Sequence, residues 1–131
     1  MTQAPPPQVW PTLSARDARA LIKFLVDAFG FEEAVVYGDA DTVNHAELAW
    51  PPGGGVMLGS HKPDGPGQMA PGMFSAYVVC DDPDALFNQA VKHGAVVVRE
   101  LNDTDYGSRE FAVRDVEGNH WSFGTYRGHP R

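Results

Sequence analysis

Apolar and polar positions along this chain change period in a fixed order, and that order is written twice. Over 13–37, LSARDARALIKFLVDAFGFEEAVVY, a short strand pattern gives way to a turn, a helix and a second strand. Over 77–101, YVVCDDPDALFNQAVKHGAVVVREL, the same succession returns. Leu21, Leu25, Ala28 and Phe29 fall on one helical stripe, and Leu86, Ala90 and Val91 on another. Asp17 and Asp82 stand where N-caps belong, with Pro83 suited to the first helical position. Gly30 and Gly94 end the two helices, and each leads into a β-branched run, Val35-Val36 or Val96-Val97-Val98.

Two more strands complete each copy. In the first they span about 43–50 and about 55–60, joined by Pro51-Pro52-Gly53-Gly54. In the second they span about 107–114 and about 119–126, and the connection from Arg114 to Asn119 reads as a turn, with Arg114-Asp115 as a structural pair bracing it. The chain is thus expected to be a single domain, 1–131, of two βαβββ modules. Module one covers about 9–60, a Pro/Gly linker covers 61–72, and module two covers about 73–126. The linker is a candidate flap, and the prolines at 4–7 a loose arm. One such unit cannot cover both faces of its sheet. Two side by side give an α+β fold: a curved mixed sheet with helices on the convex face and a concave ligand trough in front.

Composition narrows the function. With 131 residues and 43% hydrophobic content the chain can build a real core, and no apolar run approaches a membrane span. MTQAPPPQVW lacks the basic and apolar regions of a secretory signal, so the cytoplasm is the expected location. Cys80, the single cysteine, sits in an apolar run and is expected to be a buried small hydrophobe. A net charge of −7 with no basic stripe argues against nucleic acid; it is compatible with a cationic ligand, and equally with a charge that only keeps the protein soluble.

The final hairpin, YGSREFAVRDVEGNHWSFGTY, sends Trp121, Phe123 and Thr125 to one side and His120, Ser122 and Gly124 to the other. Together with RDARALIKFLVDAFGFEE and HAEL…GGGVMLGS, it resembles the vicinal oxygen chelate superfamily of glyoxalases, dioxygenases and bleomycin-resistance proteins, and within it the bleomycin-resistance-like branch. The resemblance covers about 9–126. Metal-dependent members take one ligand from each of four strands, and those positions fall here on Trp10, Leu58, Ser75 and Ser122. None of the four offers the imidazole, carboxylate or thiolate that a divalent metal needs. No metal and no cofactor are therefore expected. This register also puts Leu13, Met57, Gly59, Phe74, Ala76, Val78, Trp121 and Phe123 behind the sheet.

Remaining trough candidates come from alternation. His45 and Glu47 share one face of the third strand, either as a polar pair in the trough or as a solvated face. Trp10, Tyr77 and Tyr106 offer aromatic surface for a flat or cationic ligand. Trp10 serves equally as a core or interface aromatic, and Tyr106 as a loop anchor; Trp50 reads as packing. His120 lies beside Ser122. The expected ligand set is Trp10, His45, Glu47, Leu58, Ser75, Tyr77, Tyr106, His120 and Ser122, with no catalytic residue. The resemblance implies a homodimer whose chains build the binding grooves, sequestering an antibiotic or metabolite without a metal. The alternative is a metal-dependent lyase, isomerase or dioxygenase with displaced ligands drawn from His45, Glu47 and His120. A metal-free enzyme using Glu47 or His120 as general base is a third reading.

Overall fold

A computed structural model, which describes residues 6–65 and 69–130, turns each sequence copy into a four-stranded sheet with one helix. The first comprises β1 (Thr12–Ala15), α1 (Ala18–Phe24), β2 (Glu32–Gly38), β3 (Val43–Ala49) and β4 (Gly55–Ser60). The second comprises β5 (Ser75–Val79), α2 (Pro83–Lys92), β6 (Val96–Asp103), β7 (Arg109–Arg114) and β8 (His120–Gly124). The strand orders, β1-β4-β3-β2 and β5-β8-β7-β6, are the same once the copies are superposed. In both, the first strand pairs in parallel with the fourth and every other pairing is antiparallel. The fold is α+β. The curved sheet is divided, however, into two separately hydrogen-bonded halves. No helix among the described residues is long and apolar enough to cross a membrane.

The helices start and stop for the local reasons the sequence carries. Asp17 accepts a hydrogen bond from the Ala20 amide, and Asp82 accepts one from the Ala85 amide. After α1 the chain widens into a π-helical turn, Leu25–Phe29, which Gly30 closes at φ 90°. That turn places Leu25, Ala28 and Phe29 all in the core. In α2 the buried stripe rotates away from expectation. Val91 is 43% exposed, whereas Phe87 packs edge-on against Phe111 at 5.2 Å. Val91 lies one residue before the end of α2, and the chain turns at Gly94 three residues on.

An aromatic cluster joins the two copies. Phe29 lies 5.5 Å from Trp121 and 4.8 Å from Phe123, and Phe31 lies 5.6 Å from Trp121. Trp50 packs on Phe31 and donates its indole N–H to the Val79 carbonyl, a packing role as expected. The π-helical turn of the first copy therefore covers the back of β8 in the second. Cys80 is buried, as its apolar run implied.

The β7–β8 turn locks the copies together. Asp115 is 5% exposed, and its carboxylate accepts from the Trp121 indole, the Asn119 side-chain amide, and the Asn119 and Glu117 backbone N–H groups. The turn is braced by these donors rather than by the anticipated Arg114. Glu117 then reaches across to accept from the backbone amides of Arg16 and Asp17, both at 2.9 Å, just ahead of α1. A carboxylate from module two thus completes the helix start of module one.

Register decides which residues face outward. Thr12 pairs with Met57 and Leu13 with Leu58, and directly paired residues share a face. Leu13 and Leu58 are both buried core residues, 6% and 3% exposed. The expectation of Leu58 in front and Met57 behind is therefore corrected by one residue: Met57 stands in front, beside Glu47. The β5 and β8 registers stand as read, with Ala76, Val78, Trp121 and Phe123 behind.

Candidate functional site

On the first sheet the front face carries Thr12 and Ser14 from β1, His45 and Glu47 from β3, and Met57 from β4. His45 Nε2 and Glu47 Oε2 are 2.9 Å apart, so the pair is spent first on itself. A cavity of about 390 Å³ opens here, bordered by Ser14, His45, Met57, Gly59 and Lys62. Met69 also borders it, and its carbonyl accepts from the Ser14 hydroxyl at 2.6 Å. The linker therefore lies against this face at Met69, while its residues 66–68, and residues 4–5 of the proline-rich arm, lie outside the described residues.

The second sheet has a different front. Ser75 pairs with His120 and Tyr77 with Ser122, while Ala112 sits beside Ser122 and Glu110 beside Gly124. Ser122 is the small residue on the floor, with its small neighbours Gly124 and Ala112 buried beside it. Tyr77, Tyr106 and Tyr126 stand around the floor, and with Arg99, Glu110 and His129 they border an open cavity of about 700 Å³. Tyr106 and Tyr126 meet edge-on at 5.7 Å, and the Tyr77 hydroxyl donates to the Tyr126 carbonyl at 2.7 Å. This last bond pins the segment after β8 along the rim. Burial, the leading cause, raises the Tyr77 phenol above its ordinary value, so Tyr77 is a neutral donor.

Gly124 makes this arrangement possible. A Cβ there would lie 2.6 Å from Glu110 Cγ and 2.7 Å from the Tyr77 hydroxyl. The missing side chain is the space in which Glu110 and Tyr77 approach the sheet. A third cavity, about 400 Å³, runs along the seam between the copies and is bordered by Pro11, Trp50, Gly55, Tyr77 and Trp121.

The expected ligand set is thus divided. Tyr77, Tyr106 and Ser122 converge on the large cavity, and His45 borders the small one. Glu47 shares the face of His45. Ser75 and His120 stand on the second front, short of the cavity wall. Trp10 precedes β1, half-buried, with its ring against Gly55. Leu58 touches the first cavity only as a core residue. Glu110, Arg99, Tyr126 and His129 were not anticipated. Two of them were signalled: Glu110 alternates with Phe111 and Val113, and Tyr126 continues the period of Ser122 and Gly124.

A divalent metal does not fit these residues. At the four superfamily positions stand an indole, an alkyl chain and two hydroxyls, and correcting the β4 register exchanges leucine for the thioether of Met57. The displaced set is not assembled within the chain either: His45 and Glu47 are on the first sheet and His120 on the second. Among the described residues no three His, Cys, Asp or Glu side chains converge.

Comparison with known proteins gives a family and a set of folds. The profile of the Glyoxalase/Bleomycin resistance protein/Dioxygenase superfamily matches residues 8–123. An uncharacterized protein of Mycobacterium bovis, Mb0911c, is 35% identical over 126 residues, covering 90% of this chain and 82% of its own. Among solved structures, TioX from Micromonospora sp. ML1 is 28% identical with a TM-score of 0.76, covering 90% of this chain and 97% of TioX. TnmS3, an antibiotic binding protein from Streptomyces sp. CB03234, is 18% identical with a TM-score of 0.72, covering 93% of this chain and 97% of TnmS3.

Proposed function

This chain belongs to the Glyoxalase/Bleomycin resistance protein/Dioxygenase superfamily, and from that premise we propose that it binds a small organic molecule and sequesters it without a metal. The observation that carries this reading is the tyrosine-walled cavity of about 700 Å³ on the second sheet, large enough for a drug-sized ligand. Its walls offer ring faces and hydroxyls, and its floor offers a serine hydroxyl where metal-dependent relatives would need a ligand. The antibiotic-binding role of TnmS3, on the same fold, supports the same direction. We place the protein in the cytoplasm as a homodimer, in which the front of one chain's first sheet complements the front of the other's second. His45, Glu47 and Met57 then become the opposite wall of the groove.

The test is equilibrium binding of a panel of flat aromatic antibiotics to metal-stripped protein, followed by recovery of the ligand. Saturable binding at one ligand per chain, with the ligand recovered unchanged, is expected. Chemical conversion of the ligand, or binding that appears only when a divalent metal is restored, would sink the reading. Sedimentation of the same sample tests the dimer, which is expected to tighten when ligand is added.

A further inference from the structure

Resting on the binding reading, we propose that Glu110 is the polar anchor of the large cavity and that its ligand is a flat aromatic molecule carrying a protonated or strongly N–H-donating nitrogen. Glu110 borders the cavity, yet its side chain is only 5% exposed. A carboxylate has about four lone-pair sites. Two groups among the described residues reach them: the Tyr106 hydroxyl, donating to Oε2 at 2.9 Å, and Arg99 Nη2, at 3.4 Å from Oε1. The Arg99 contact is long, and its side chain is 54% exposed. The carboxylate is therefore held on one oxygen by a phenol and on the other by a single long contact to Arg99, which also borders the cavity.

The floor is arranged around that carboxylate. Gly124 clears the space that Glu110 occupies, and Ser122 lies on the floor of the same cavity. A ring lying on this floor meets the tyrosine walls and brings its edge to Glu110. An edge bearing N–H gives a charge-assisted bond to a carboxylate that is itself only 5% exposed. An edge bearing carboxylate faces a buried like charge instead. The chain's net charge of −7 draws the same class of molecule from solution.

The acridines provide a matched series: 9-aminoacridine is a cation at neutral pH, acridine is neutral, and acridine-9-carboxylate is an anion. Fluorescence titration of the intact protein is expected to rank them in that order, with about tenfold or more between cation and anion, the size of one charge-assisted bond. Glu110→Gln keeps the shape and removes the charge; it is expected to weaken 9-aminoacridine about tenfold and to collapse the ranking. Arg99→Gln, a change at a half-exposed side chain, is expected to move the other way and tighten the cation. Equal affinity across the series, or the same ranking in Glu110→Gln, overturns the anchor role while leaving the binding reading intact. A loss of cation affinity in Arg99→Gln overturns it as well. If no acridine of any charge binds, both this inference and the choice of this cavity fail together.

Discussion

Asp115 shows how one carboxylate can organise a turn. Buried to 5% exposure, it takes the Trp121 indole N–H at 2.8 Å and the Asn119 amide at 3.0 Å, and so fixes β8 against the core. Asp115→Ala leaves those donors buried and unpaired, and is expected to cost about 2–4 kcal/mol by urea unfolding. The sequence marked Arg114-Asp115 as a structural pair, which located the right residue with the wrong partner. Nothing in the spacing distinguishes a neighbouring guanidinium from an indole six positions on. Cys80 is the simpler case, because an apolar run around a lone cysteine already implies burial. Burial first, and then the charges of Asp81 and Asp82, push its thiol up to about 11. Below the ordinary thiol range both folded and unfolded chains hold the proton, so stability is unaffected. As pH rises from that range toward 11, the unfolded chain ionises first and the fold loses stability. Native Cys80 should therefore react slowly with a thiol reagent at pH 8, and Cys80→Ala should flatten the alkaline fall in unfolding free energy.

Strands show where alternation is enough and where it is not. On β8 the large apolar side chains, Trp121 and Phe123, fall on one parity, and the front face was readable without a structure. On β4, Val56, Met57 and Leu58 are three apolar residues in a row, so hydrophobicity gives no parity. Only the pairing of Leu13 with Leu58 breaks the tie. The cavity itself was half legible, since Ser122 was named from this alternation and Tyr77 and Tyr106 as aromatic surface. Glu110 was passed over because a charged residue in an exposed-looking strand usually faces water, and its burial depends on Tyr106, Arg99 and the bare Gly124 arriving from other elements. Gly124→Ala is the corresponding test. The new methyl is expected to push Glu110 and Tyr77 off the floor, costing about 1–3 kcal/mol by thermal or urea unfolding and abolishing ligand binding in the same preparation.

At the scale of the whole molecule, the duplication was written plainly in the chain because both copies use the same caps, periods and turns. The division of the expected trough between two sheets was not, because sequence period specifies which face of a strand is apolar and not which sheet edge meets which. The contact between Glu117 and the Arg16 and Asp17 amides was equally invisible, being a long-range partnership between two ordinary polar stretches. Glu117→Ala is expected to cost about 1.5–3 kcal/mol, and Glu117→Gln, which keeps one good acceptor, about half as much; urea unfolding followed by fluorescence of the tryptophans measures both. The span of this contact is 100 residues. On the ribosome, where chains emerge from the N-terminus, the helix that starts at Ala18 is out long before the carboxylate that completes it. Phe29 and Phe31 likewise wait for Trp121. The first copy is made early and finished late, and during that interval its aromatic face stands open to other nascent chains.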